Sequence, residues 1–367
     1  MADGLIKKIA NLIKRDGPMT VDQYFALCLS DHEFGYYKTC SNPFGSLGDF
    51  VTSPEISQIF GEMLAIFLIC AWEKHGFPKC VRLIELGPGK GTMMVDILRV
   101  ICKLRPDFFS ALSVYMVENS ENLTLIQKEQ LSSYKDKISW CVCLADVPRG
   151  FTFLVANEFF DSLPIKQFVM TENGIRERMI DIDCHGSLFF SVGNDSAELD
   201  FISCSDYCVG TIFETSPYRD HEMWSISNRL ARDGGTVIII DYGHLHSGAG
   251  DTLQAVQEHR YVSPLINSGK SDLSSHVDFQ RLSSIAVLHK LYVNGLMTQG
   301  RFLDGLGIWQ RAFSLMKRAT RKDMLLDSVR RLVGTPSDKK SMGELFKILA
   351  VSRGEIELSP FVNHNCL

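Results

Sequence analysis

The chain has 367 residues, enough for one large domain with insertions or two smaller ones, and enough to bury a core without disulfides. It is 45% hydrophobic and 22% charged, with a mean hydropathy of +0.02, which excludes a disordered or membrane-embedded composition. A net charge of −5 gives no reason to expect a nucleic-acid partner. The 11 cysteines include the pair Cys141-x-Cys143 but no repeated C-x-x-C and no Cys/His spacing suited to zinc. No metal site is therefore expected, and the thiols read as reduced.

In chain order, MADGLIKKIANLIKRDGP opens with an amphipathic helix whose apolar face carries Leu5, Ile6, Ile9, Leu12 and Ile13. It lacks the apolar core and cleavage site of a secretion signal. It reads as a helix packed on the body rather than a membrane-surface segment. Thr20 starts a second helix, with Gln23 completing a capping box. Asp31 to Asp49 reads as an irregular loop. Ser53-Pro54-Glu55 reads as the capped start of a helix running to about Lys74. Its longest apolar run, Met63 to Trp72, is too short to span a bilayer, so no integral membrane segment is expected.

From Val81 the pattern alternates. Strands are expected at Val81 to Glu85, Ser113 to Glu118, Ile138 to Cys143 and Phe151 to Asn157, with helices at Thr92 to Leu104 and Asn122 to Ser133. Such alternation predicts a parallel sheet covered by helices. Residues 164–218 read as a β-rich insertion, followed by a helix from Arg219 to Arg232 and a buried strand from Thr236 to Ile240. The stretch Gly243 to Ser275 reads as a polar loop inside a second insertion near 243–285. The last third reads as helical, notably near 300–345, with a final strand at Ile348 to Ser352. The expected division is an N-terminal helical region over 1–80 that contributes to the site, a core over 81–355 and a tail over 356–367.

The clearest chemical motif is Glu85-Leu86-Gly87-Pro88-Gly89-Lys90-Gly91, between a strand and a helix. Its glycines would let backbone amides approach a ligand closely. A dinucleotide fold wants G-x-G-x-x-G, whereas here the third glycine comes one residue early. A phosphate loop wants G-x-x-x-x-G-K-[ST], which Lys90-Gly91-Thr92 imitates only at its end. G-x-G-x-G after an acid resembles motif one of class I S-adenosylmethionine methyltransferases. Glu85 would then meet the cofactor ammonium, Glu118 the ribose hydroxyls and Asp146 the adenine amino group. The competing reading of the loop is a plain structural turn.

The blocks MTVDQYFALCLSDHEFGYY, GDFVTSPEISQIFGE, LIELGPGKGT, VANEFFDSLPI, IDYG, GDTLQAVQEHRYVSPL, SDLSSHVDF and TQGRFLDGLGI stand in this order along most of the chain. With them the chain resembles the MidA-like family of S-adenosylmethionine-dependent methyltransferases, which includes a mitochondrial complex I assembly factor that methylates arginine. The resemblance implies an α/β Rossmann-like core of seven mostly parallel strands, the last antiparallel. It also implies a protein substrate bearing arginine, with a respiratory-chain subunit as one option. Ile266-Asn267-Ser268-Gly269 departs from the Pro-Gly turn expected there.

Methyl transfer needs a nucleophile held in line with the methyl group and its charge managed. Glu158 and Asp161, just after the fourth strand, are the candidates for binding a guanidinium; the alternative is that Asp161 caps a turn. Asp49, Thr52 and Ser53 are candidates for the cofactor carboxylate, through hydroxyls and helix-start amides; the alternative is a plain helix cap. His276 is a candidate base, against a structural histidine at a helix start. Tyr242, His244, His259 and Arg260 are weaker candidates nearby. Two further functional readings stay open: a non-catalytic assembly protein with a methyltransferase-like fold, and a small-molecule methyltransferase. Absence of a clear presequence favours a bacterial cytoplasm, or a mature mitochondrial-matrix form. The sequence is silent on oligomeric state.

Overall fold

In the computed structural model, which describes residues 2–39, 52–196, 199, 207–257, 260–317, 320–334 and 341–361, the chain divides into two units. One comprises Met1–Phe50, Asp161–His221 and His246–His276; the other comprises Val51–Phe160, Glu222–Leu245 and Val277–Leu367. The division expected at residue 80 falls elsewhere. Helix Gln58–Lys74 belongs with the sheet because it shares that unit's core, with Ile59, Phe60, Phe67 and Trp72 fully or almost fully buried. Where it meets helix Thr92–Leu104, a Cβ on Gly61 would lie 2.7 Å from Asp96 Cβ, so only glycine permits that approach.

The larger unit is built on strands β1 (Val81–Leu86), β2 (Leu112–Val117), β3 (Ile138–Cys141), β4 (Thr152–Asn157), β5 (Gly235–His244), β6 (Tyr292–Thr298) and β7 (Phe346–Ser352). Their order across the sheet is β6-β7-β5-β4-β1-β2-β3, with Val277–Asp278 added in parallel at the end of β5. The pairs β5/β4, β4/β1, β1/β2 and β2/β3 are parallel, whereas β7 runs antiparallel to both β5 and β6. This is the mostly parallel sheet with an antiparallel last strand that the resemblance implies. Strand β4 and β5 up to Gly243 are buried throughout, as a parallel sheet covered on both faces requires. Strand order reverses between β1 and β4, and ligands collect at the carboxyl ends of strands at such a point.

Two expectations fail here. The helix read from Ser53 to Lys74 breaks into Ser53–Ile56 and Gln58–Lys74 at Ser57, whose backbone is extended and whose hydroxyl accepts from Ile59 N. The last third is not only helical, because β6 lies within it.

In the other unit, helices Ala2–Asp16 and Val21–Ser30 bury Leu5, Ile9, Tyr24 and Phe25. The expected capping box is present, with Thr20 N donating to Gln23 Oε1 at 3.1 Å. The insertion is β-rich as expected: Lys166–Thr171, Gly174–Ile182, Leu188–Ser196 and Ile212–Thr215 form an antiparallel sheet with Met19–Thr20. The stretch read as a loop contains a small sheet of Gln254–Gln257, Arg260–Val262 and Asp272–Ser274. In the departing turn, Asn267 and Gly269 both take positive φ, 58° and 79°.

Candidate functional site

The glycine loop leaves the carboxyl end of β1 and enters helix Thr92–Leu104. Gly87, Gly89 and Gly91 all take positive φ, at 60°, 52° and 83°. Space is tight for larger residues as well: a Cβ on Gly87 would lie 2.9 Å from the Phe159 ring, and one on Gly91 3.3 Å from Leu131. Gly91 is the left-handed N-cap residue of the helix, so the loop gathers backbone amides at the positive end of a 13-residue helix. The segment before it is tied in by Thr92 Oγ1, which donates to Glu55 Oε1 at 2.5 Å.

Three acids stand at successive strand ends. Glu85 is 2% exposed, and its Oε2 has no hydrogen-bond partner among the described residues. Burial, and secondarily the charge of Glu118, push its acid up to about 8. Glu118 follows β2, its amide donating to Cys141 O at 2.9 Å. Its carboxylate accepts from Ser120 N at 2.8 Å and Gln127 Nε2 at 3.2 Å. Burial raises its acid too, opposed by those hydrogen bonds. Asp146 ends the short turn Leu144–Asp146 and is exposed; its Oδ2 accepts from Cys143 N and Sγ, both at 3.2 Å, which holds its acid below the usual range.

A second unmatched acceptor adjoins Glu85. Asn157 ends β4, donates through Nδ2 to Glu158 Oε1 at 3.1 Å, and keeps a buried Oδ1 without a partner among the described residues. Glu85 pairs with Val155 in the parallel register, and Asn157 is two residues beyond Val155, so both side chains lie on one face of the sheet. Sequence reasoning passed over Asn157, which reads as an ordinary loop-entry residue.

Glu158 has a positive φ of 50°, and its amide donates to Ile240 O at 2.9 Å. Its Oε1 accepts from Ser53 N at 3.0 Å. The free amide expected at Ser53 is therefore already taken by a carboxylate from the chain itself. The Ser53 hydroxyl is also spoken for, being buried against Gln299 Oε1 at 3.3 Å. Thr52, not Ser53, is the N-cap residue of that helix, and Asp49 lies outside the described residues, as does His259.

Asp161 and His276 belong to the other unit. Asp161 O accepts from Ser275 N at 3.1 Å and Arg219 Nη2 at 3.2 Å. His276 N donates to Thr252 Oγ1 at 2.9 Å, and His276 O accepts from Arg219 Nη1 at 2.6 Å. His276 precedes the helix cap, which is Asp278. Tyr242 is buried against Phe346, and His244 Nε2 lies 3.9 Å from Asp278 Oδ2. Arg219 and Thr252 organise the Asp161 and His276 segments, and Gln127 ties Glu118 to the glycine loop; sequence reasoning missed all three because none sits in a recognisable spacing.

The sheet order, with a glycine turn and a buried and a half-buried acid at the carboxyl ends of β1 and β2, defines a Rossmann-like methyltransferase fold that uses S-adenosylmethionine. The chain belongs to the family described as "Putative S-adenosyl-L-methionine-dependent methyltransferase", whose match spans residues 63–297. It is 33% identical to the Drosophila melanogaster "Protein arginine methyltransferase NDUFAF7 homolog, mitochondrial", over 95% of this chain and 85% of that protein. It is 34% identical to the human "Protein arginine methyltransferase NDUFAF7, mitochondrial", over 95% of this chain and 83% of that one. Among solved structures it resembles a Burkholderia thailandensis protein described as a likely methyl transferase bound to S-adenosyl-homocysteine. That likeness has a TM-score of 0.86 and 25% identity, covering 97% of this chain and 94% of that one. No helix of the described residues is long and apolar enough to cross a membrane.

Proposed function

We propose that the chain methylates an arginine side chain of a protein, with S-adenosylmethionine held at the carboxyl ends of β1, β2 and β4. The observation that carries this reading is the pair of buried, unmatched acceptors, Glu85 Oε2 and Asn157 Oδ1. Leaving such groups unpaired in a folded core is costly, and an incoming ammonium would satisfy both. In this reading the amides of the glycine loop and the Gly91-capped helix take the cofactor carboxylate, and Thr52 and Asp49 are proposed to contribute to the same contact. Glu118 takes the ribose hydroxyls, and Asp146 the adenine amino group from the end of β3. The bound cofactor supplies a methyl group on a positively charged sulfur.

For the acceptor, Glu158 and Asp161 are the acids proposed to bind and orient the guanidinium. Glu158 Oε1 accepts from Ser53 N and Asn157 Nδ2, which fixes the carboxylate at the carboxyl end of β4. His276 is the proposed base, with its main chain pinned by Thr252 and Arg219. The names of the curated relatives support an arginine-bearing protein substrate. A respiratory-chain subunit is the candidate to test first, and the same names, which read mitochondrial, move the expected compartment from the bacterial cytoplasm toward the mitochondrion.

Calorimetric titration with S-adenosylmethionine and its demethylated product tests the cofactor half. Absence of binding to folded, cofactor-free protein would overturn it and favour a non-catalytic assembly role. Mass spectrometry of candidate protein substrates after incubation tests the acceptor half. Unaltered methylation by Glu158→Gln would remove Glu158 from the acceptor site, and methylation confined to small molecules would overturn the protein-substrate reading.

A further inference from the structure

We propose that Gln127 is a positioning residue for the cofactor: it locks Glu118 and the glycine loop into one arrangement and so sets affinity for the ribose of S-adenosylmethionine. The inference rests on the cofactor site proposed above.

Gln127 lies on helix Glu121–Gln130, where Glu121, Asn122, Leu125, Lys128, Glu129 and Gln130 are exposed. Gln127 itself is 0% exposed. A long polar side chain buried on a helix whose one other buried residue is Leu123 needs partners, and it has three. Nε2 donates to Gly89 O at 2.8 Å and to Glu118 Oε2 at 3.2 Å. Oε1 accepts from Trp140 Nε1 at 2.9 Å. An indole N–H can only donate, so it fixes which end of the amide faces which way. Both amide hydrogens are thereby aimed at the glycine loop and the acid. Its Cγ also stands 3.5 Å from where a Cβ on Gly91 would be, so the side chain packs against the loop as well.

With Ser120 N on the other oxygen, the Glu118 carboxylate is gripped at both ends and cannot rotate without losing a bond. A carboxylate held in this way presents its remaining lone pairs in fixed directions, which is what recognition of a vicinal diol requires. Gln127 also opposes the desolvation that favours the protonated form of Glu118. Trp140 acts one step further back, by orienting Gln127.

The test is calorimetric titration with S-adenosylhomocysteine and with its analogue lacking both ribose hydroxyls, using the natural protein, Gln127→Met, Gln127→Glu and Trp140→Phe. Gln127→Met keeps the length but none of the hydrogen bonds. It should weaken S-adenosylhomocysteine binding by about tenfold or more, while changing binding of the analogue by less than about threefold. Gln127→Glu should show a loss that deepens as pH rises, because a second carboxylate would then face Glu118. Trp140→Phe should reproduce the ribose-selective pattern at about threefold. It alters a partly exposed side chain, so it keeps the test decisive if Gln127→Met does not fold. An equal loss for both ligands, or no loss, overturns the inference. Failure of the natural protein to bind S-adenosylhomocysteine overturns instead the cofactor site on which the inference depends.

Discussion

Glu85 in the sheet unit and Glu214 in the other unit are both carboxylates drawn away from water, and desolvation raises both acids. Their surroundings differ. Glu214 accepts from Thr252 N at 2.8 Å, from Thr252 Oγ1, and from Gln167 Nε2 at 2.7 Å. Thr252 in turn accepts from His276 N, so the cluster ties together strand Ile212–Thr215 and two loops of its own unit. Glu85 has no such escort on Oε2, and the group that raises it further is another acid, Glu118. A buried acid supplied with donors by its own chain is built to hold the fold. A buried acid left short of a donor is the one proposed to receive a donor from outside.

The comparison is broken most severely at Gly87. Gly87→Val would force a β-branched residue to φ near 60° with its Cβ 2.9 Å from the Phe159 ring. Backbone strain alone costs about 1–3 kcal/mol, and the displaced loop should bind no S-adenosylmethionine. A thermal melt and a calorimetric titration check both halves; an unchanged melting temperature would show that the loop relaxes freely.

Glu85→Gln should separate the two kinds of acid. The loss of a charge-assisted contact to the ammonium predicts a Kd raised by about 10- to 100-fold. Stability at pH 7 should rise, because folding must protonate a Glu85 that is ionised in the unfolded chain, a cost that Gln does not carry. Glu214→Leu should do the reverse in kind. It strands the Thr252 and Gln167 donors and should cost about 1–3 kcal/mol in chemical denaturation. A stabilised Glu214→Leu, or a Glu85→Gln variant that binds as tightly as the natural protein, would erase the distinction.

What the sequence made legible, and what it hid, follows the same division between local and remote causes. Helix Thr92–Leu104 is bounded as its apolar face predicts, and the glycine loop and Glu118 stand at the expected strand ends, because each signal is written within a few adjacent residues. Strand β6 is hidden because Asn294 and Gly295 interrupt its alternation, and a register shift there is needed to pair it with β7. The sheet formed by Gln254–Gln257, Arg260–Val262 and Asp272–Ser274 is made of strands too short to show a period. Ser53 was legible as a helix start, but the carboxylate occupying its amide comes from Glu158, 105 residues away. Gln127 looks like a solvated helix residue until Trp140 and Gly89 are brought to it by the fold.

The smallest effect is the one that tests the ionisation of Glu85 itself. In the free protein its acid is raised from the ordinary 4.5 to about 8, so its contribution to stability is fully present below pH 4.5 and is lost as pH rises through 8. Pairing with an ammonium requires the ionised form. Binding at pH 7 should therefore expel close to one proton, since Glu85 is mostly protonated before the ligand arrives. Affinity should rise about tenfold per pH unit up to pH 7 and level off near 8, where the cofactor amine begins to titrate as well. Titrations at pH 7 in buffers of different ionisation enthalpy read the proton count directly. A count near one that vanishes in Glu85→Gln supports a carboxylate kept neutral until its partner binds. A count of zero, or one that survives the substitution, would mean that Glu85 is ionised before the cofactor arrives or that the ammonium pairs elsewhere.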